Sequence, residues 1–187
     1  MEGIIEAIYS FDHSALLFIQ ENLRFEALTP LMKGVSISVN LGALWVILSG
    51  VMLCFKKTRM IGALALTSLL LALLCNNVII KNLVGRTRPY DLYADLIPLI
   101  KKPHDASFAS GHTTASFAAA VTYIRFFSKP ISAIILCYAA LVGISRLYLG
   151  VHYPTDVICG CLIGISSALL VYSVYSKKFD LARYRLR

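Results

Sequence analysis

Charged residues are scarce in this chain of 187 residues, because Asp, Glu, Lys and Arg together make up only 15% of it. Soluble domains carry roughly 25% of these residues on surfaces that face water. Hydrophobic residues account for 58% of the sequence, and the mean hydropathy is +0.72. The composition therefore excludes an ordinary soluble domain and predicts an integral membrane protein.

Paired cysteines and acidic clusters are also missing. The five cysteines lie within or beside apolar runs, without the spacing of a disulfide framework or a zinc site. They are Cys54, Cys75, Cys137, Cys159 and Cys161. No group of carboxylates is spaced to hold magnesium. The sequence therefore predicts neither a metal site nor a cofactor.

Basic residues outnumber acidic ones by 18 to 10, which leaves a formal net charge of +8. An excess of this kind can indicate nucleic-acid binding, but that function also needs aromatic residues interleaved with basic ones on a polar surface. Here the basic residues lie at the ends of apolar runs. We therefore expect the protein to interact with the lipid bilayer and not with nucleic acid. The sequence does not indicate the oligomeric state.

Five apolar runs approach the length of about 20 residues that crosses the hydrocarbon core of a membrane. They cover residues 35–55, 61–80, 113–127, 131–149 and 157–175, and the third is short. The sequence contains no internal repeat. The pattern predicts an all-α polytopic membrane bundle with five transmembrane helices, or six if a further N-terminal helix inserts.

The N-terminal region 1–33 has a different pattern. Apolar residues such as Ile4, Ile8 and Phe18 share one helical face, with polar residues opposite. This pattern predicts an amphipathic helix in the membrane interface, and Asp12 is suited to cap a second short helix if the first breaks there. A single membrane-embedded domain then comprises this region, a catalytic bundle over 34–176 and a basic tail over 177–187.

Basic residues mark one side of the predicted bundle. They cluster in the loops 56–59 and 125–129 and in the tail 177–187. Such clusters favour the cytoplasmic side. We therefore expect a multi-pass protein of the plasma membrane with a cytoplasmic C-terminal tail. The opposite ends of the helices would then face the outside.

Three polar clusters lie at these external ends. They read Lys81-x6-Arg88-Pro89, Ser110-Gly111-His112, and Ser145-Arg146-x5-His152-x3-Asp156. Taken singly, an interfacial histidine often anchors a helix and an arginine often snorkels to water. Ionisable residues near the membrane are costly, however, and several on the same side indicate a functional site.

The basic members of these clusters suit a phosphate group. Lys81, Arg88 and Arg146 supply positive charge, and a guanidinium can bind two phosphate oxygens at once. Ser110 and Gly111 precede the third apolar run, where a hydroxyl and backbone N–H groups at a helix N-terminus can point at an anion. These five residues predict a cage for a phosphoryl group in transfer.

The remaining members suit covalent catalysis. His152 and Asp156 are four residues apart at a helix start, so the carboxylate can bind one imidazole nitrogen and leave the other unprotonated. That nitrogen can attack phosphorus, while the carboxylate stabilises the imidazolium. His112, on another helix, can protonate the leaving oxygen and then activate water. Arg86, Lys101, Lys102, His104 and Asp105 lack such support, and we expect them to be solvated loop residues.

The combined motifs resemble those of the type 2 phosphatidic acid phosphatase superfamily, whose signatures are K-x6-RP, PSGH and SR-x5-H-x3-D. The resemblance covers roughly residues 61–175, with Ala109 in place of the usual proline. It implies the same roles: Lys81, Arg88, Ser110, Gly111 and Arg146 bind phosphate, while His152, His112 and Asp156 catalyse. It also implies a metal-independent lipid phosphatase.

The substrate follows from analogy alone. As a small chain with an external site, this protein resembles the bacterial undecaprenyl-diphosphate phosphatases of the superfamily, which recycle the carrier lipid of cell-wall synthesis. Activity on phosphatidylglycerophosphate or phosphatidic acid is the alternative. A non-catalytic lipid-phosphate binding or transport protein is a hypothesis of another class, although it would not need His112, His152 and Asp156. A soluble haloperoxidase is disfavoured by the apolar runs.

Overall fold

A computed structural model describes residues 2–186, and within that range the chain forms α-helices and no β-strand. The helices are α1 Glu2–Asn22, α2 Thr29–Ser38, α3 Ala43–Leu53, α4 Arg59–Leu73, α5 Lys81–Val84, α6 Pro89–Leu92, α7 Gly111–Tyr123, α8 Lys129–Tyr148 and α9 Pro154–Ser176. A π-helical stretch, Leu74–Ile80, joins α4 to α5. Met1 of the predicted interfacial region and Arg187 of the predicted basic tail lie outside the described residues.

Three segments of the described chain are long and apolar enough to cross a membrane, namely Arg59–Leu92, α8 and α9. A fourth forms if α2 and the segment Asn40–Leu53 are counted as one span with a bend of 46°. The predicted all-α membrane bundle is confirmed, but the predicted count of five or six spans is approximate. The main reason is α7, which has only 13 residues where about 20 are needed.

Helix α7 lies at the centre of the bundle, where ten of its residues are buried. Small residues allow this close packing, because a Cβ atom on Gly164 of α9 would lie only 2.5 Å from the carbonyl oxygen of Thr114. Polar side chains add interhelical hydrogen bonds: Trp45 Nε1 donates to Ser116 Oγ at 2.9 Å. The central position of α7 holds its N-terminus firmly among its neighbours.

Helix α1 runs without a break from Glu2 to Asn22, so a helix break at Asp12 does not occur. Its apolar residues Ile4 and Phe18 are exposed, whereas Asp12 is fully buried. The Asp12 carboxylate starts no second helix within this region; it accepts hydrogen bonds from Arg86 and from the backbone N–H of Thr155 at the start of α9. The apolar face that α1 turns outward fits contact with lipid, and its place in the membrane interface stays a prediction.

The three polar clusters meet at one end of the bundle. Helix α5 ends at Gly85 with φ +56°, and the turn after α8 contains Gly150 with φ +71°. Both backbones are left-handed, a conformation that glycine adopts without the steric cost of a Cβ atom. The chain therefore turns sharply at both places. The start of α5, the start of α7, the end of α8 and the loop before α9 line a common cavity.

Candidate active site

A cavity of about 230 Å³ contains most of the predicted site. Six of the eight predicted residues line it: Lys81, Arg88, Gly111, His112, Arg146 and His152. These residues come from the three separate motifs, and they lie on three helices, α5, α7 and α8, and in the segments just before α6 and α9. The structure therefore brings the motifs together, and the two histidines share one cavity.

Ser110 and Asp156, the other two predicted residues, lie behind the cavity wall. Ser110 is the N-cap of α7, and its Oγ accepts a hydrogen bond from Thr113 Oγ1 at 3.0 Å. Its backbone N–H donates to the carbonyl oxygen of Asp156 at 3.1 Å. The expectation that this N–H points at an anion is therefore wrong. The bond instead ties the start of α7 to the start of α9.

Arg88 is held rigidly against His152. It is 4% exposed, and its Nη1 donates to the carbonyl oxygen of Val151 at 2.6 Å. The same Nη1 lies 3.4 Å from His152 Nε2. Since a guanidinium cannot accept a hydrogen bond, Nε2 must be the unprotonated nitrogen in this arrangement. The proton of a neutral His152 then resides on Nδ1.

Asp156 supports that tautomer. His152 Nδ1 lies 3.3 Å from Asp156 Oδ2, which also accepts hydrogen bonds from Ser107 Oγ and from the backbone N–H of Tyr153. Burial lowers the pKa of His152 to about 4, and the charges of Arg88 and Arg146 add to the effect, against the opposing contact with Asp156. The imidazole is therefore neutral at neutral pH, and His152 is one of the residues that line the cavity.

Arg146 forms another part of the wall. It is 3% exposed, and its Nη1 donates to Ser36 Oγ on α2. Its buried Nε has no hydrogen-bond partner in the described chain. Ser36 was not predicted as a site residue, because a serine in an apolar helix carries no signal of its own.

His112 meets a residue from the turn between α2 and α3. Its Nε2 lies 2.9 Å from Asn40 Oδ1. Since a carbonyl oxygen only accepts, this nitrogen carries a proton in this arrangement. Asn40 lies outside the three motifs, and no local pattern marks it as a site residue.

Asp105 occupies the mouth of the cavity. Its carboxylate binds both Lys81 Nζ and Arg88 Nη2, the latter at 2.8 Å. Partial burial would raise the pKa of Asp105, but the two cations outweigh it and lower that pKa to about 2. The prediction of a merely solvated loop residue was therefore wrong for Asp105. Lys101, Lys102 and His104 are exposed as expected.

Arg86 also departs from its prediction, because it is only 7% exposed. Its Nη1 donates to Asp156 Oδ1 at 2.8 Å, and its Nη2 donates to Asp12 Oδ2 at 2.6 Å. The one sequence signal for this network is the acidic Asp12 in an otherwise amphipathic helix. No group of three or more His, Cys, Asp or Glu side chains within residues 2–186 is arranged to hold a metal ion.

A profile of the PAP2 superfamily matches residues 61–180, which include all three motifs. The chain belongs to the PAP2 superfamily. This confirms the resemblance to type 2 phosphatidic acid phosphatases.

Individual PAP2 proteins show how far the similarity extends. An undecaprenyl-diphosphatase of Sulfolobus acidocaldarius is 35% identical over 120 residues, which are 64% of this chain and 58% of that protein. The chain therefore matches little more than half the length of that relative.

Two solved PAP2 structures are similar over most of the chain. One is a transmembrane phosphatidylglycerolphosphate phosphatase of Bacillus subtilis, with a TM-score of 0.71, 28% identity, and 96% of this chain and 90% of that chain covered. The other is Aquifex aeolicus LpxE, with a TM-score of 0.74, 27% identity, and 84% and 93% covered.

Proposed function

We propose that this protein hydrolyses a lipid phosphate or diphosphate through a phosphohistidine intermediate. The observation that carries the proposal is the position of His152: it lines a cavity together with Lys81, Arg88 and Arg146, and its unprotonated Nε2 lies 3.4 Å from Arg88 Nη1. Positive charge at fixed positions stabilises the negative charge of a phosphoryl group in transfer. Membership of the PAP2 superfamily supports the same reaction class.

The first step forms a nitrogen–phosphorus bond. The Nε2 lone pair of His152 attacks phosphorus as the bond from phosphorus to the leaving oxygen breaks. His112, which enters this step as an imidazolium, donates a proton to that oxygen, and Asp156 stabilises the imidazolium that develops on His152. The leaving lipid carries the proton away.

The second step returns the enzyme to its starting state. His112, now the base, removes a proton from water as the water oxygen bonds to phosphorus. The nitrogen–phosphorus bond breaks, its electron pair returns to Nε2, and inorganic phosphate leaves. No step needs a metal ion, because the three cations supply the charge that a metal would otherwise supply.

We propose undecaprenyl diphosphate as the substrate, converted to undecaprenyl phosphate. Similarity to the Sulfolobus acidocaldarius undecaprenyl-diphosphatase supports this choice. A cavity of about 230 Å³ fits a phosphate head group, so a long prenyl chain must stay in the bilayer. Phosphatidylglycerophosphate is the second candidate, supported by the likeness to the Bacillus subtilis enzyme over 96% of this chain. Phosphatidate remains a third member of the same substrate class.

We further propose that the cavity opens to the outside of the plasma membrane and that the tail is cytoplasmic. The connections that carry the basic loops 56–59 and 125–129 lie at the ends of α3 and α7 that are remote from the cavity. Positive charge of this kind favours the cytoplasmic side.

Phosphate release from the purified protein in detergent, with EDTA present, tests the reaction. We expect turnover on at least one of undecaprenyl diphosphate, phosphatidylglycerophosphate and phosphatidate. The substitution His152→Ala should abolish it, because no nucleophile remains. His112→Ala should slow ester substrates most, because an alkoxide needs protonation more than a departing phosphate does.

His104→Ala is the matched control, because this exposed loop histidine does not line the cavity. It should turn over at the wild-type rate. A His152→Ala variant with near-normal turnover would contradict the covalent step. Wild-type protein that binds these lipids and hydrolyses none of them would instead support the non-catalytic binding protein.

A further inference from the structure

A buried chain of charges connects α1 to the proposed catalytic carboxylate. Asp12 and Asp156 are 0% exposed and Arg86 is 7% exposed. Arg86 bridges the two carboxylates with separate nitrogens, Nη1 to Asp156 and Nη2 to Asp12. The network therefore runs from His152 through Asp156 and Arg86 to Asp12.

Arg86 is fixed in this position by more than its ion pairs. Its guanidinium carbon lies 3.9 Å from the ring centroid of Tyr153 and 4.7 Å from that of Tyr9. Its Nη1 also donates to Thr155 Oγ1 at 2.7 Å. Aromatic faces and a planar donor set of this kind leave the guanidinium little freedom to turn.

Arg86 also holds Ser107, a second hydrogen-bond partner of the Asp156 carboxylate. Its carbonyl oxygen accepts a hydrogen bond from the backbone N–H of Ser107 at 2.8 Å. The hydroxyl of Ser107 in turn donates to Asp156 Oδ2, the oxygen that faces His152. One residue thus orients both oxygens of Asp156.

Asp12 changes the charge of the network. Arg86 and Asp156 alone would form a neutral pair, which would stabilise a developing imidazolium poorly. With Asp12 the three side chains carry a net charge of −1. Asp12 also accepts the backbone N–H of Thr155 at 3.0 Å, in the first turn of α9 that bears Asp156.

We propose that Arg86 and Asp12 are positioning residues of the site, which makes α1 part of the catalytic apparatus. Arg86 holds the Asp156 carboxylate in line with His152 Nδ1, and Asp12 supplies the negative charge that Arg86 would otherwise cancel. A buried ion pair is by itself weak evidence for stability, because desolvation offsets much of the attraction. This inference rests on the proposed role of His152 as the nucleophile.

Arg86→Gln and Asp12→Asn test it, because each removes one charge and keeps hydrogen-bonding capacity. We expect kcat to fall roughly 10- to 100-fold in Arg86→Gln, which is the usual loss when a residue that orients a metal ligand is replaced. KM should stay within about twofold of the wild-type value. The amide in Asp12→Asn still accepts from Thr155, so this variant remains informative if Arg86→Gln does not fold.

The pH profile of kcat separates positioning from mere structural support. Loss of a positive charge raises the pKa of His152, so the acid limb should move to higher pH in Arg86→Gln. Loss of a negative charge should move it to lower pH in Asp12→Asn. The other groups around His152 are unchanged in both variants: Arg88, Arg146, Asp156 and His112.

Gln20→Ala is the control for the attachment of α1. Gln20 accepts the backbone N–H of Ile97 at 2.8 Å and donates to the carbonyl oxygen of Asp95, so it anchors the same helix without touching the network. It should lower the melting temperature at most and leave kcat and the pH profile at wild-type values.

Acid limbs that move in opposite directions, with the loss confined to kcat, would support the proposal. Limbs that stay in place, or variants that behave like Gln20→Ala, would overturn it. His152→Ala in the same experiment separates failure of the proposed mechanism from failure of this inference. If His152→Ala retains turnover, the proposed mechanism fails. If it is inactive while Asp12→Asn and Arg86→Gln resemble Gln20→Ala, only this inference fails.

Discussion

Replacement of Asp105 by asparagine should strengthen substrate binding. The Asp105 carboxylate binds Lys81 and Arg88, two of the three cations that we assign to the phosphate group. A phosphate that enters the cavity must displace this carboxylate from them. Asparagine has nearly the same shape but no charge, so Asp105→Asn removes most of the competition.

The size of the effect follows from the exposure of the contacts. The Asp105 side chain is 57% exposed, so each ion pair belongs to the solvent-screened class worth about 0.2–1 kcal/mol. Two such pairs sum to roughly 1 kcal/mol, and about 1.4 kcal/mol corresponds to a tenfold change in affinity. We therefore expect KM for the lipid, and the inhibition constant for orthovanadate, to fall about 3- to 10-fold.

The assay is phosphate release in detergent at several vanadate concentrations, with Asp91→Asn as the matched control. Asp91 is similarly exposed on the same side, does not line the cavity, and its nearest cation is Lys102 at 3.8 Å. It therefore reports the general effect of one lost negative charge. Asp105→Asn should lower KM and the vanadate inhibition constant several-fold more than Asp91→Asn does.

The effect should not depend on pH in the usual assay range. The pKa of Asp105 is lowered to about 2 from 3.8, so the carboxylate is ionised at every pH above about 4. The ionised carboxylate also contributes to folding stability. This contribution is fully present above pH 3.8, the pKa of Asp105 in the unfolded chain, and is lost as the pH falls towards 2. A vanadate response equal to that of Asp91→Asn would show that Asp105 does not compete with the phosphate group. A rise in KM would contradict the prediction more strongly and would assign Asp105 to substrate binding.

Two further predictions address the cage and the packing behind it. Arg146→Lys should lower kcat/KM about 10- to 100-fold despite the retained charge, because an ammonium cannot reproduce a two-pronged guanidinium contact; unchanged kcat and KM would remove Arg146 from the cage. Gly164→Ala should destabilise the fold by about 1–3 kcal/mol, seen as a lower melting temperature, because the new methyl group would lie 2.5 Å from Thr114 O. Gly50→Ala, with no atom within 4 Å of its Cβ position, is the control and should unfold at the wild-type temperature.

The helical class and the site motifs were accessible from the sequence because both are local properties. Hydropathy averaged over some 20 residues indicates a membrane helix without any tertiary information. His152 lies in the loop just before α9 and Asp156 in the first turn of α9, so their contact at 3.3 Å joins residues that are close in sequence. The place of the three motifs at the ends of apolar runs then predicted a common cavity.

The span count and the partners of polar residues were less accessible. Helix α7 is apolar, but its 13 residues lie among other helices, and hydropathy does not distinguish a buried central helix from one that contacts lipid. Asn40 reaches His112 from a turn 72 positions away. Nothing in the local pattern marks such a contact.

The amino-acid pattern alone was enough to predict a helical membrane protein of the PAP2 superfamily, with two histidines and three cations at the proposed site. The pairing of the charges became visible only in the folded structure. Arg86 and Asp105 have the same local signature as solvated loop residues, yet Arg86 reaches Asp12 across 74 positions and Asp105 enters the cavity. Hydropathy and helical periodicity depend on residues within one or two turns, whereas the cost of burying a charge is offset by whichever group the packing brings beside it.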